Sequence, residues 1–581
     1  MKHKTAHRHV AVPATNGCRI DSQTSMREIK ELYRSRAFIL SLALVYVLVW
    51  LIMLGTRTLV PTDEGRYAEM GREMLATGDW ITTRLNGIKY FEKPPLQTWM
   101  NALTFRMFGL GEWQARLWTG LCGLAGIAMV ALTGRKLFSP RAGFLSALVL
   151  SSSFYWVALG HINTLDMGLS CMMTLALCGL LIAQRDEATQ ESRRNWMLVC
   201  WAGMALSVLS KGLIGIVLPG AVLVLYTFMS RDWAVWKRLH LGKGVLLFLV
   251  ITTPWFILVS IQNPEFPYFF FIHEHFERFL LKNHHREGAW HYFIPLLLLG
   301  IMPWLGLLFQ GIASGWRRHA TMSFQPRQLL MAWAVLIFVF FSFSNSKLPS
   351  YILPIFPALA LLIGPWMETA SRRNWKIALG LIAMIGAVGL PFAFHIDSMA
   401  KNPLERPLYA AYQPWVIAAA LVLLAGGILT LIFVRLREQN TDKAALALAT
   451  TGFVFALVLM QGHEPIGRNM AGKPLVDAIS VELTPTTPLY ALGRYEQVLP
   501  FYLRRTTTLV ETRSELEYGL QQEPWLWIPS RQEFLQKWVN GPKAVAITTP
   551  SIYKELEASH VPMRLIAKDS RRIVISNEAR Q

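Results

Sequence analysis

At 581 residues the chain has room for several domains, but a hydrophobic share of 53% and a charged share of 16% exclude a soluble enzyme and point to a polytopic membrane protein. Fifty-seven lysines and arginines against 37 acids leave a net charge of +20. Much of that excess falls in short segments between apolar runs, which fits loops facing anionic lipid and excludes nucleic acid as its partner.

The five cysteines are Cys18, Cys122, Cys171, Cys178 and Cys200, and their spacing is not that of a metal site. Neither disulfides nor a cysteine-bound metal are expected. Residues 1–36 form a basic, cytoplasmic tail. The apolar run after it is too long for a signal peptide and lacks a small-residue cleavage site, so a retained signal anchor is expected.

With about 20 apolar residues as the ruler for one span, thirteen runs emerge, near 37–56, 113–134, 142–160, 164–183, 195–210, 212–230, 243–261, 291–313, 328–343, 350–367, 375–395, 414–434 and 444–461. Alternate joints are basic: the tail, Arg135 to Arg141, Arg185 to Arg194, Arg231 to Lys243, Arg317 to Arg327, Arg372 to Lys376 and Arg435 to Lys443. The positive-inside rule places these in the cytoplasm and the remaining joints outside. The transmembrane part is thus read as 37–461, with an outward first loop at 57–112.

That loop carries eleven charges between Asp63 and Lys93. It is read as two helices lying flat on the membrane, one over Asp63 to Ala76 and one opening at Pro94-Pro95 with Leu96, Trp99, Leu103 and Met107 on one face. Asp63 and Glu64 can serve chemistry or simply cap the first helix. Asp166, in His161-Ile-Asn-Thr-Leu-Asp166, is costly beside a bilayer core and marks a pathway or a cation partner. Glu92 and Lys93, being adjacent, are expected to point apart, with Lys93 suited to a phosphate and Glu92 to a metal or a sugar hydroxyl.

Further along, Lys211 stands alone between two spans, and Lys347 precedes Leu-Pro-Ser-Tyr351; either can snorkel at a helix end. His273-Glu-His-Phe-Glu-Arg278 offers a histidine for a metal or an interfacial aromatic belt. Lys93, Lys211, Arg278 and Lys347 all map to the outer face, where the positive-inside rule disfavours cations and a phosphate-bearing lipid would require them. Residues 462–581 lose hydrophobic density. Strand-like runs at Pro488 to Leu492, Ala544 to Thr548 and Arg572 to Ser576, with helical patterns at Gln532 to Trp538 and Ser551 to Ala558, predict a small α/β domain outside the membrane.

Five segments together resemble one family: Asp63-Glu-Gly-Arg-Tyr-Ala-Glu-Met, Lys89-Tyr-Phe-Glu-Lys-Pro-Pro-Leu, His161-Ile-Asn-Thr-Leu-Asp-Met, Ser210-Lys-Gly and Ser346-Lys-Leu-Pro-Ser-Tyr-Ile-Leu-Pro. They are similar to the bacterial aminoarabinose transferases, polyprenol-phosphate-dependent glycosyltransferases of the GT-C fold. The resemblance implies transfer of 4-amino-4-deoxy-L-arabinose from undecaprenyl phosphate to a lipid A phosphate at the periplasmic face of the bacterial inner membrane, with polymyxin and cationic-peptide resistance as its result. It implies Asp63 and Asp166 as catalytic carboxylates, with Tyr90, Lys93, Lys211, Arg278, Lys347 and Tyr351 at the substrates. A divalent ion, zinc, would sit between Glu92 and His273, and the chain would act as a monomer among membrane lipids. The other charges of the first loop are read as a solvated surface. A transferase of another sugar, or one acting on protein like the mannosyltransferases, is the nearest alternative. A lipid-linked sugar flippase is the more distant one, since it would need charges deep in several spans.

Overall fold

The computed structural model describes residues 35–277, 288–318, 320–436 and 441–578. α1 (Arg36–Ile52) starts at Ser35, whose side chain accepts from the Phe38 amide at 3.3 Å, and it leaves Leu40, Leu44, Val45 and Leu48 exposed as a lipid-facing surface. The first loop folds into α2 (Asp63–Thr77), a two-stranded hairpin of β1 (Arg84–Leu85) and β2 (Ile88–Lys89), and α3 (Leu96–Phe108). Behind it come α4 (Glu112–Leu137), α5 (Pro140–Ser152), α6 (Phe154–Gly160), α7 (Leu165–Ala183), α8 (Gln190–Lys211), α9 (Ile214–Ser230) and α10 (Leu241–Gln262). A π-helical stretch, Tyr268–Glu277, precedes α11 (Phe293–Gly300), α12 (Leu305–Gly315), α13 (Pro326–Phe343), α14 (Phe356–Met367), α15 (Arg372–Ala393), α16 (Arg406–Leu436) and α17 (Thr441–Gly462).

Among the described residues nine helices are long and apolar enough to cross a bilayer, or up to eleven spans if two bent pairs each count as one. The expected count of about thirteen is therefore not reached. All thirteen runs are helical, but α9 has only 17 residues, and the polar ends of α8 dilute an apolar stretch that is itself short of a span. The bent pairs are α5 with α6, at 62°, and α11 with α12, at 107°. A break inside a membrane exposes backbone donors that water cannot satisfy. Here the two breaks serve one another: the Phe154 amide donates to the Met302 carbonyl at 3.1 Å, and Trp304 Nε1 to Ser152 Oγ at 2.9 Å.

Beyond the membrane helices, α18 (Glu464–Met470) and α19 (Lys473–Glu482) lead into a six-stranded sheet. Its strands are β3 (Leu489–Leu492), β4 (Thr508–Val510), β5 (Trp527–Ile528), β6 (Val545–Thr548), β7 (Arg564–Lys568) and β8 (Ile573–Ser576), in the order β5-β4-β3-β6-β8-β7. The first four in that order run parallel, and β8 and β7 pair antiparallel. β3, β6 and β8 are buried at every residue, the continuous apolar pattern of strands covered on both faces. These are the strands foreseen from the sequence; the short β4 and β5 and the partly exposed β7 carry weaker patterns.

This domain sits on the first loop. Arg84 Nη1 reaches both Glu523 oxygens at 3.0 Å, and the side chain of Asn86 exchanges hydrogen bonds with the Thr507 main chain at 2.7 and 2.8 Å. At Gly65 a Cβ would come within 2.7 Å of the Gln497 carbonyl and 2.8 Å of Val498 Cα, so only glycine permits that approach. α2 is consequently buried along most of its length and does not lie open on the membrane. α3 does keep an apolar outward side at its far end, through Leu103, Met107 and Phe108.

Candidate active site

Successive helical residues point about 100° apart, and this separates the acidic pair at the start of α2. Glu64 turns inward, 1% exposed, and accepts from Arg116 Nε at 2.6 Å, Arg116 Nη2 at 2.8 Å, and the amides of Val60 and Asn163 at 2.8 Å each. Arg116 places its remaining donors on the carbonyls of Leu54, Arg57 and Thr58 at 2.6–2.9 Å. Burial opposes the Glu64 charge, but Arg116 and Arg57 outweigh it and hold the carboxyl below its usual range. Asp63 turns outward, with 37% of its side chain exposed and, among the described residues, one partner, Arg66 Nη1 at 3.1 Å. It stands on the wall of a cavity of about 470 Å³ that Arg57, Phe154, Ile162, Tyr412 and His463 also line.

The second carboxylate opens α7. Asp166 is ion-paired with Lys211 at the end of α8, and it accepts from Ser350 Oγ at 2.9 Å and Thr164 Oγ1 at 3.2 Å. Lys211 Nζ also lies 4.7 Å from the centre of the Tyr351 ring, and the charge of Asp63 reaches it. Asn163 ties the two carboxylate-bearing helices together: its amide and Nδ2 bond Glu64, and its Oδ1 accepts from Gln97 at 2.8 Å and Asn101 at 3.2 Å.

At the entry to α3, Lys93 Nζ donates to the Glu92 carbonyl at 2.7 Å and to Glu274 at 3.3 Å, and lies 3.9 Å from the Glu92 carboxylate. The expectation that Glu92 and Lys93 face apart is thereby corrected: the lysine stem folds back over its neighbour. The C-terminal domain closes the roof with Glu515, ion-paired to Arg66, whose guanidinium stands 5.9 and 6.0 Å from the rings of Tyr67 and Tyr90. The Tyr90 hydroxyl is buried there with no hydrogen-bond partner among the described residues. Burial pushes the Glu515 carboxyl up, against the pull of Arg66.

A family model described as the aminoarabinose transferase C-terminal domain matches residues 475–577, and one described as dolichyl-phosphate-mannose-protein mannosyltransferase matches residues 92–258. The undecaprenyl phosphate-alpha-4-amino-4-deoxy-L-arabinose arabinosyl transferase 1 of Sodalis glossinidius is 32% identical over 497 residues, covering 83% of this chain and 86% of its own. Its namesake in Pseudomonas fluorescens is 30% identical over 548 residues, covering 91% and 95%. The crystal structure of ArnT from Cupriavidus metallidurans bound to undecaprenyl phosphate superimposes with a TM-score of 0.89 at 40% identity, over 94% of this chain and 99% of that one. The chain belongs to the aminoarabinose transferases.

The GT-C fold expected of an aminoarabinose transferase holds along the chain. Of the site residues expected from sequence, Asp63, Asp166, Lys211 and Tyr351 meet in one cluster, and Tyr90 stands in the roof beside it. Lys93 and Glu92 lie together at the π-helical stretch that carries His273, which is exposed and stacks on Phe269 at 5.2 Å. Lys347 is turned elsewhere. It is 7% exposed, its ammonium bonds the carbonyls of Phe341, Ser342 and Ser344 at 3.3, 2.8 and 3.0 Å, and it closes the end of α13. Arg278 lies outside the described residues.

The solvated reading of the other loop charges is overturned. Glu69 is 0% and Glu73 4% exposed; Glu69 takes Arg72 in two bonds of 2.6 and 2.7 Å, and Glu73 accepts the amides of Asn86 and Gly87 at 2.6 and 2.7 Å. A charged loop reads as solvated only until a second domain covers it, and that domain is remote in sequence. Arg66, Tyr67, Ser350, Glu274 and Glu515 were missed as site residues. The first three sit inside or beside the recognised motifs, so their neighbours were the available signal; Glu515, one of several acids in a motif-poor domain, offered none.

Proposed function

We propose that this chain transfers 4-amino-4-deoxy-L-arabinose from undecaprenyl phosphate to a phosphate of lipid A, at the periplasmic face of the bacterial inner membrane. The observation that carries the reading is the open carboxylate of Asp63, whose charge reaches Lys211, with Lys93 a second cation on the same outer side, in a chain that shares its fold and family with an undecaprenyl-phosphate-bound relative. The side follows from charge: these groups gather at one end of the helices under the C-terminal domain, and the basic joints gather at the other.

In the transfer, the bond between the sugar's anomeric carbon and the donor phosphate oxygen breaks, and an oxygen of the acceptor phosphate bonds that carbon. The acceptor oxygen is already anionic near neutral pH, so no base has to remove a proton. The charge that grows is the one on the departing undecaprenyl phosphate. Lys211 and Lys93 stabilise it as preformed cations. Asp166 is a positioning residue in this scheme, since its carboxylate is taken up by Lys211, Ser350 and Thr164. Asp63 would repel an anionic acceptor, so its partner is the cationic amino group of the sugar. All of these groups come from one chain, and the reading needs no second copy. Masking a lipid A phosphate with a cationic sugar lowers surface charge, and resistance to polymyxin follows.

Zinc at Glu92 and His273 remains a proposal with no step assigned to it. Among the described residues no three His, Cys, Asp or Glu groups are gathered to hold a metal ion. Metal analysis of the purified protein, with transfer measured after chelation, tests it. For the reaction itself, lipid A from cells lacking and regaining the gene is compared by mass spectrometry. A gain of one aminopentose per modified phosphate is expected; unchanged lipid A with a new sugar on protein would overturn the reading.

A further inference from the structure

Three helices that carry the site at one end meet at the other end in a group of arginines to which the transfer reaction assigns no role. α7 begins beside Asp166 and is followed by Arg185; α8 carries Arg193 in its first turn and Lys211 in its last. From Arg193 to Lys211 the helix rises about 27 Å at about 1.5 Å per residue, close to the roughly 30 Å hydrocarbon core of a bilayer. The arginines therefore sit at the opposite membrane interface.

Their partners are carbonyls. Arg185 donates to Ile182 O at 3.2 Å and, from α4, to Lys136 O at 3.0 Å; Arg193 donates to Ala183 O and Arg185 O at 3.2 Å each. Arg238, half-buried, has an Nη1 shut away without any hydrogen-bond partner among the described residues. The 3-10 segment Trp233–Arg238 is held against α8 by Trp201 Nε1, which donates to Leu239 O at 3.0 Å, and Arg193 and Arg238 lie close enough to repel one another. Among the described residues none of the three arginines forms an ion pair. Asp186 attracts Arg193 but is taken up by the amides of Ser323 and Phe324 at 2.8–3.4 Å. Alongside stand Trp233, 62% exposed, and Phe228, 66% exposed, aromatic side chains at the depth where membrane proteins place them.

We propose that Arg185, Arg193 and Arg238 hold the phosphate of an anionic phospholipid from the leaflet opposite the transfer site. Cations crowded at a bilayer surface without an ion pair among the described residues call for an outside anion, and basic pockets between helices on that side take lipid phosphates. The exposed aromatic side chains select a phosphate that comes with acyl chains over a free one. Such a lipid would brace the ends of α4, α7 and α8 far from the chemistry.

The test is native mass spectrometry of the full chain released from nanodiscs of phosphatidylglycerol and phosphatidylcholine mixed equally. Wild type should retain phosphatidylglycerol preferentially, and each arginine removed should lower that retention about fivefold. Arg238→Gln breaks no side-chain hydrogen bond among the described residues, so it should melt like wild type in pure phosphatidylcholine; Arg238→Lys should keep the lipid. Retention that resists millimolar inorganic phosphate supports the lipid assignment, and displacement by it would reassign the site to a soluble anion and overturn the proposal. Equal retention of both lipids by wild type, or unchanged retention in Arg238→Gln and in Arg193→Gln/Arg238→Gln, would also overturn it.

Discussion

The buried glutamates of α2 and the aspartate that opens the same helix lie within a few turns of one another, yet they are built to opposite rules. Glu64, Glu69 and Glu73 are all but sealed from solvent and take two to four hydrogen bonds each from fixed donors. Asp63 keeps 37% of its side chain open with one arginine as partner, and Lys93 stays one-fifth open. A carboxylate saturated by the protein holds the fold in place and has little left for a substrate. One that is half-satisfied at the edge of a cavity is available to it. The contrast makes a claim for each group that substitution can break.

The largest effect is expected at Glu64→Gln, which leaves Arg116 charged and buried without its counter-charge. Loss of one partner of a buried pair costs about 3–5 kcal/mol, so thermal unfolding in detergent should shift sharply downward and transfer should be lost with the fold. The same pair has a pH signature. The carboxyl is depressed in the folded state, so its contribution is present above the unfolded value, near 4.5, and is lost as pH falls through the lower folded value. Next comes Lys211→Gln: removing a preformed donor from a developing anion lowers turnover by about 10²–10³-fold. Single-turnover transfer should fall in that range, with a smaller change in melting than Glu64→Gln gives.

These two substitutions also mark how far the sequence could be read. Asp63, Asp166, Lys211 and Tyr351 were legible because each lies in a polar motif at the end of an apolar run, and alternating loop charge assigned all of them to one side. The fate of Glu64 was not, because its partner Arg116 lies inside what reads as a transmembrane run and Asn163 lies a hundred residues away. Lys347 and Lys211 look alike in sequence, each a lone lysine beside a span. One met a carboxylate and the other three carbonyls, and only the packing of α13 against its neighbours distinguishes them. The strands β3, β6 and β8 announced themselves by continuous apolar runs. The covering of α2 by the domain that holds them depends on contacts such as Arg84 with Glu523, which no local pattern encodes.

The smallest effect is expected at Glu73. Burial, with Glu69 beside it, pushes its carboxyl up to about 8, despite the amides of Asn86 and Gly87. A carboxyl raised in the folded state contributes fully below its unfolded pKa of about 4.5 and loses that contribution as pH rises through about 8. Melting temperature should therefore drift down over that window in wild type, and Glu73→Gln, which imitates the protonated form, should flatten the drift with transfer little changed.

The central claim rests on Asp63 as the open carboxylate of the site. It is tested by transfer of aminoarabinose to lipid A by purified Asp63→Asn, with melting measured on the same sample. The account predicts a fall of about 10²-fold or more with melting unchanged, because among the described residues Asp63 bonds Arg66 alone, and Glu515 still holds that arginine in the variant. Near-normal transfer by a well-folded Asp63→Asn would contradict it.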